Sequence, residues 1–428
     1  MQNNAIAKYK SIITLTLVCF SLLIISGCQS NDSEQNKVTK ITFWHGINPP
    51  ENRDIFNKLL EKFNQSHENI QVEAIYNGQP DEQIPKIISS VVAEKPPDLL
   101  WYVPQLTGEL VKLEAIIPLK DWLDNSPIKA EIDPAMFETM ELNGNIWSVP
   151  FATNNAAMFY RPSLFKAAGI DRLPETWDEL EKVAKQLTKD TDGDGRIDRY
   201  GLFLSVGKGE WTVFVWLPFI YSAGGEIVRD NRANLNNPGA IKALEFGTKL
   251  VKNKVAILSA PERGYELDEF LKGKVGMQIT GPWTLAQLKQ TNVDYGVFPL
   301  PKLEKKAAVV GGENLFVFKT TPERERASKE FLEYILGEEF QTEWALKTGY
   351  LPINLKARSN ERYQEFVAKN PVLQVFIDQM EWARSRPIVP GYTRLSENLG
   401  RAIEESLLQN KTPETALNEA QKRIESNR

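Results

Sequence analysis

Three aspartates alternate in the stretch DTDGDGRIDRYG, at Asp190, Asp192 and Asp194, and Gly195 and Asp198 follow. The spacing matches positions one, three, five and nine of a twelve-residue calcium loop, with glycine at six and the Arg196 carbonyl at seven. Position twelve, where a bidentate glutamate ordinarily stands, is Gly201. Four carboxylates packed together repel one another without a cation. A structural calcium is therefore one expectation, and a solvated acidic turn is the other. Histidine chemistry is bounded by scarcity. His45 and His67 are the only histidines, which excludes a multi-histidine metal centre and leaves a Ser-His-Asp triad only these two.

A third chemistry is covalent processing. In LLIISGCQSND an apolar run breaks into polar residues at Cys28. The other cysteine, Cys19, lies inside the run, so the pair does not read as a framework disulfide. From Ile12 to Ile25 the run is 14 residues, short of the roughly 20 that cross a bilayer. Lys8 and Lys10 precede it, as in a secretory signal. Ile25-Ser26-Gly27-Cys28 resembles a bacterial lipobox, which implies a signal peptide over 1–27, acylation of Cys28 and a periplasmic, lipid-anchored product. Residues 28–37 are polar, without aromatics, and read as a flexible tether.

The elements that must position any site follow from pattern. KITFWHG and IQVEAIY alternate as strands, and PDLLWYV reads as a buried strand. Between them PENRDIFNKLLEKFNQ and DEQIPKIISSVVAEK read as helices. Strand, helix, strand, helix, strand indicates a parallel α/β sheet. Ligands of such sheets bind beyond the carboxyl ends of the strands. That marks Trp44-His45-Gly46 and the stretch from Tyr102 to Gln105. The formal charge is −5. Lys8 and Lys10 supply +2 of it, so the chain beyond the leader stands near −7, which argues against nucleic acid as a partner.

The order and spacing of several stretches resemble one family. They are ITFWHG, PPDLLW, WSVPFATNNAAMFYRPSLFKAAGI, LPETWDELEKVAKQL, LPFIYSAGGEIV, KVGMQITGPWTLAQL, YGVFPLPK and TPETALNEAQKRI. Together they are similar to the extracellular solute-binding proteins of ABC sugar importers, the group containing maltose- and glycerol-3-phosphate-binding proteins. The resemblance implies a monomeric α/β protein of the two-lobed periplasmic-binding-protein fold (type II), with discontinuous lobes and three hinge crossings. The first lobe would take 38–151 plus 314–352, and the second 152–313 plus 353–428. The crossings are expected near Ala152, Gly311-Gly312 and Tyr350 to Pro352. Some relatives hold calcium in a loop like the one at Asp190.

A sugar presents C–H faces, which aromatic rings cover, and hydroxyls, which carboxylates, amides and arginine pair. On the resemblance, Trp283 in TGPWTL is a stacking platform, with lobe core as its competing role. Trp44 and His45 sit at a strand end where packing competes equally. Tyr102 and Gln105 correspond to an aromatic and an acid of maltose binders, and glutamine there puts maltose itself in doubt. Asn154 stands where relatives carry a sugar-binding carboxylate, and its neighbour Asn155 could point inward instead. Trp211 and Phe214 belong to an aromatic helix that is mostly core. Glu313 follows the Gly pair, and Tyr350 and Arg394 lie where glycerol-phosphate binders look similar. A helix-end ion pair is the alternative for Arg394.

Three functions of different class follow. The first is a lipoprotein that captures a small sugar or polyol osmolyte, such as glucosylglycerol, sucrose or trehalose, and delivers it to permease subunits coupled to a cytoplasmic ATPase. It needs no cofactor and performs no catalysis. The second is a secreted glycoside hydrolase, which would need two carboxylates facing each other across a cleft. The third is a calcium-dependent adhesin or chemoreceptor module.

Overall fold

The computed structural model describes residues 38–78, 80–260 and 267–426. The leader, Cys28 and the tether lie outside the described residues. No helix among those described is long and apolar enough to cross a membrane.

Ten strands build two five-stranded sheets. They are β1 (Thr39–His45), β2 (Ile70–Tyr76), β3 (Leu99–Tyr102), β4 (Val149–Pro150), β5 (Ala157–Tyr160), β6 (Tyr200–Leu204), β7 (Ala256–Leu258), β8 (Val275–Thr280), β9 (Gly296–Phe298) and β10 (Asn314–Val317). The first sheet runs β2-β1-β3-β10-β4, and the second runs β7-β6-β8-β5-β9. β3 lies parallel to β1, with Phe43 opposite Leu99, and β10 returns antiparallel to β3. β8 is flanked on both sides, parallel to β6 and antiparallel to β5, and all six of its residues are buried. A strand buried on both faces reads as a continuous apolar run rather than as alternation, which is the pattern VGMQIT nearly has.

Each sheet carries its own core, and this makes the molecule two-lobed. In the first lobe, helix α1 (Pro50–Ser66) turns Phe56, Leu59, Leu60 and Phe63 inward, onto a core with Phe43, Leu99 and Phe331. Their three- and four-residue spacing is one face of a helix. In the second lobe, helix α3 (Trp177–Leu187) starts at a capping box formed by Thr176 and Glu179. Helix α4 (Glu210–Ser222) is apolar nearly all round and is buried from Thr212 to Ser222. A helix with no polar face belongs inside a protein, and α4 packs with Leu180, Leu202 and Leu399.

Three stretches run side by side where the lobes meet. Phe151 N donates to Glu313 O at 2.9 Å, Leu351 N to Thr153 O at 2.9 Å, and Gly311 N to Asn154 O at 2.8 Å. These are the positions from which hinge crossings were expected. Gly312 sits at φ +106°, and a Cβ there would stand 2.2 Å from the Ala152 carbonyl oxygen, so only glycine fits.

The tail of the chain differs from the sequence-based division. Helices α5 (Pro322–Leu336) and α6 (Glu338–Thr348) belong to the first lobe, and α7 (Leu355–Ser359) and α8 (Glu361–Lys369) pack on α6, while α8 also sets Phe366 and Val367 against the second lobe's cluster. Polar ties explain this. Asn354 Nδ2 donates to Leu336 O at 2.9 Å, Lys356 pairs with Glu131 at 2.6 Å, and Arg362 pairs with Glu343 at 2.7 Å. At α9 (Val372–Gln379) the chain lies in the second lobe's core, where Leu373 and Phe376 pack with Phe159 and Val275. Helices α10 (Tyr392–Leu407) and α11 (Pro413–Glu425) complete that lobe.

Candidate functional site

An aromatic trio stands where the two cores approach. Trp211 and Phe214 come from the first turns of α4, and Trp283 comes from the Gly-Pro-Trp corner after β8. The Trp211 and Trp283 rings meet edge to face at 5.7 Å, and Phe214 lies 5.8 Å from Trp211 and 6.4 Å from Trp283. Trp211 Nε1 donates to Ser205 Oγ at 3.1 Å, which fixes its ring. Trp283 leans on the cores of both lobes, and its carbonyl accepts from Asn52 Nδ2 of α1 at 3.3 Å. Asn154 joins the group at the hinge. A Cβ built on Gly311 would lie 2.1 Å from Asn154 Oδ1 and 2.9 Å from the Phe214 ring.

Polar groups converge on the same place. Gln105, in the short turn after β3, donates through Nε2 to the Arg386 carbonyl at 3.4 Å, while its Oε1 has no hydrogen-bond partner. Arg386 is 4 % exposed and lies over the Phe214 ring at 5.1 Å. Its Nη1 pairs with Glu210 at 2.5 Å, and its Nε has no partner. Glu210 also accepts from Tyr392 Oη at 2.9 Å and from Ser396 Oγ. The guanidinium is thus neutralised within the protein and still presents a donor. Glu313 is partly exposed as a residue, but its Oε2 is sealed and unpartnered. Burial pushes its carboxyl up to about 7, and the Arg386 charge offsets only part of that. Tyr350 is buried against Trp344, and burial, helped by Glu313, drives its hydroxyl well above the ordinary range.

The trio, Asn154, Gln105, Glu313 and Tyr350 are therefore brought to the lobe junction. The remaining predicted residues are not. Trp44 packs against the first lobe's outer cluster around Leu100, Leu110 and Phe316, and Tyr102 is buried in that same cluster. Successive residues of a strand face opposite ways, which takes both from the junction. His45 is 2 % exposed, stacked on Phe43, and accepts from Ile47 N through Nδ1 at 3.3 Å. Burial, with Arg53 nearby, lowers its pKa to about 4, so it is a neutral core group. Asn155 points inward, donating to Phe376 O and accepting from Gln379. Arg394 donates to the Arg423 carbonyl and ties α10 to α11. Arg386 and Glu210 were missed. A single arginine in SRPIVPG and an acid opening an apolar helix carry no local signal.

Asp190, Asp192 and Asp194 bring carboxylate oxygens within 4.8 Å of one another on an exposed turn. Asp198 is turned away, capping Thr191 N and Oγ1 at 2.6 Å. The Arg196 amide donates to Asp194.

The hinge region encloses a cavity of only about 10 Å³, lined by Gln105, Ala152, Gly311 and Arg386 among others. That is about one water's worth of room, so this cavity does not itself hold a sugar ring.

A model of bacterial extracellular solute-binding proteins matches residues 58–372. The sn-glycerol-3-phosphate-binding periplasmic protein UgpB of Yersinia enterocolitica is 25 % identical over 408 residues, 92 % of this chain and 88 % of that one. An ABC transporter solute-binding protein of Thermotoga lettingae, solved with α-D-tagatose, superposes with a TM-score of 0.80 at 26 % identity, covering 90 % of this chain and 98 % of the other. UgpB of Mycobacterium tuberculosis, solved with glycerophosphocholine, gives 0.80 at 20 % identity, covering 91 % and 98 %.

Proposed function

This chain belongs to the bacterial extracellular solute-binding proteins, and on that premise we propose that it captures an uncharged sugar or polyol glycoside between its lobes and hands it to an ABC permease. Glucosylglycerol, sucrose and trehalose are the ligands to try first. The observation that carries this reading is the aromatic trio beside Gln105 Oε1, Arg386 Nε and Glu313 Oε2, buried polar atoms without partners. Leaving such groups unpaired costs about 1–3 kcal/mol each, and a hydroxyl-bearing ligand would pair them. The relatives' ligands, tagatose and phosphate esters of glycerol, span both the neutral and the anionic option. The neutral option is supported by charge: Arg386 is already paired with Glu210, and the Glu313 carboxyl would repel a phosphate once ionised.

No covalent step is part of this reading. Glu210 is held by three donors, which does not suit a glycosidase carboxylate. Acylation of Cys28 would anchor the exported chain beside its permease. The Asp190 loop would hold a structural calcium through Asp190, Asp192, Asp194 and the Arg196 carbonyl, away from the ligand. Titration calorimetry against the three osmolytes, maltose, D-tagatose, sn-glycerol-3-phosphate and glycerophosphocholine tests the ligand class. Saturable binding of a neutral compound, recovered chemically intact, is expected. Binding of the phosphate esters alone, of nothing, or recovery of cleaved sugar would overturn it.

A further inference from the structure

Three donors close on one carboxylate. Glu210 opens helix α4, and its Oε1 accepts from Arg386 Nη1 at 2.5 Å and from Tyr392 Oη at 2.9 Å, while Ser396 Oγ donates to Oε2. Tyr392 and Ser396 stand four residues apart on α10 and so share a face. A guanidinium, a phenol and an alcohol that converge on one point are the donors an oxyanion takes, and here a side chain of the protein supplies the oxyanion. The place adjoins the ligand surface. Arg386 lines the hinge cavity beside Gln105, and its guanidinium lies over the Phe214 ring at 5.1 Å. The Glu210 side chain keeps 12 % of its surface in solvent, so the pair is not sealed in a core. Its neighbouring segment is covered by the first lobe. Gln105 Nε2 reaches the Arg386 carbonyl at 3.4 Å, and Glu109 of helix α2 (Thr107–Lys112) accepts from Thr393 N at 3.3 Å. A Cβ on Gly108 would stand 3.1 Å from Pro390 Cα. Leu106 and Leu110 root this cover in the cluster around Leu100 and Phe316, so parting of the lobes would lift it off.

A buried ion pair adds little stability over an apolar pair of the same size, so stability alone does not account for one placed beside the aromatic trio. We propose that Glu210 is a specificity determinant of the capture site: its carboxylate occupies, from within the protein, the position that an anionic group of a ligand would take. The charges of Arg386 and Glu210 cancel, and both carboxylate oxygens are engaged. What remains on Arg386 is the unpartnered Nε, one N–H that a neutral hydroxyl oxygen satisfies. A phosphate brought to the same donors would have to displace Glu210 or sit against it with like charge. This rests on the capture reading above and adds to it the residue that enforces an uncharged ligand.

The test uses the full mature chain, its variant Glu210→Gln, and calorimetry with glucosylglycerol, sucrose, trehalose, maltose, D-tagatose and sn-glycerol-3-phosphate. Glutamine keeps the shape and an acceptor but drops the charge. Wild type should bind a neutral compound and not the phosphate ester. In Glu210→Gln the preference should move toward sn-glycerol-3-phosphate by roughly 10- to 100-fold, the range for hydrogen bonds to a charged group. The double variant Glu210→Gln/Arg386→Gln should lose that gain, and a gain that survives there would trace to other donors and overturn the assignment. A lower melting temperature with unchanged preference gives Glu210 a structural role only; it overturns the inference and leaves the capture reading standing. Wild type that binds the phosphate ester alone, or none of the six, sinks both readings. Should Glu210→Gln fail to fold, competition on wild type carries the test. Displacement of the bound neutral compound by sn-glycerol-3-phosphate would show that Glu210 does not exclude anions, and no displacement is expected.

Discussion

Trp283 is the side chain on which the cores of both lobes lean, and its neighbours Trp211 and Phe214 leave one aromatic surface at the junction. Removing a buried aromatic anchor from a binding surface costs about 2 kcal/mol or more. Trp283→Ala should therefore weaken ligand binding by roughly 30-fold or more, read by calorimetry, and an affinity within twofold of wild type would exclude the platform role. Glu313 makes a pH prediction. Its folded carboxyl keeps its proton up to about pH 7, whereas an ordinary glutamate loses it near 4.5. The folded state thus binds the extra proton, and stability falls as pH rises from about 4.5 through 7, by on the order of 3 kcal/mol. His45, lowered to about 4, acts in the opposite sense between about 4 and 6.5. The comparison with Glu313→Gln isolates the carboxyl: in urea unfolding at pH 5 and pH 8 the variant should gain on wild type at the higher pH. An equal difference at both would show that Glu313 is not buried in this way. At this scale the sequence read types well and directions poorly. Arg394 and Arg386 lie eight residues apart in one segment, and only the fold turns the second toward Phe214 and Glu210.

Among elements, the hinge ribbon and the acidic turn each make a separable claim. Gly312 at φ +106°, with the Ala152 carbonyl 2.2 Å from any Cβ, cannot take a side chain without moving the Phe151–Asn154 stretch. A forced left-handed backbone costs about 1–3 kcal/mol. Gly312→Ala should lower the melting temperature by several degrees and alter affinity together with it, because the ribbon sets how the lobes meet. A variant as stable as wild type with unchanged affinity would show that the ribbon yields freely. For the turn at Asp190, calcium should raise the melting temperature, chelator should reverse the gain, and Asp190→Asn should abolish it while sugar binding stays. A melting curve indifferent to calcium would leave a solvated turn, held by its aspartate-to-amide bonds. The helices were legible because periodicity survives translation into structure: Phe56, Leu59, Leu60 and Phe63 line one face. The ties of α7 and α8 to the first lobe were not, because they rest on side-chain pairs with Glu131 and Glu343.

For the whole molecule, lobe motion is the feature to test. Capture between two lobes requires them to part and close again around the ligand. X-ray scattering should give a smaller radius of gyration with saturating ligand than without it. Identical curves, with binding verified in the same sample, would mean that entry needs no lobe motion.

What the sequence determined by itself was the local grammar and the family: alternating strands, amphipathic helices, a lipobox-like break, and stretches whose order marks a solute-binding protein. These rest on neighbours a few residues apart, where periodicity and steric rules act directly. What only the tertiary structure decided was which polar atoms are left without partners. That depends on burial and on contacts between residues such as Gln105 and Arg386, 281 positions apart. Hydrogen-bond satisfaction is a property of the packed whole, so a glutamine in the sequence says nothing of whether its amide is already paired or is kept for a ligand.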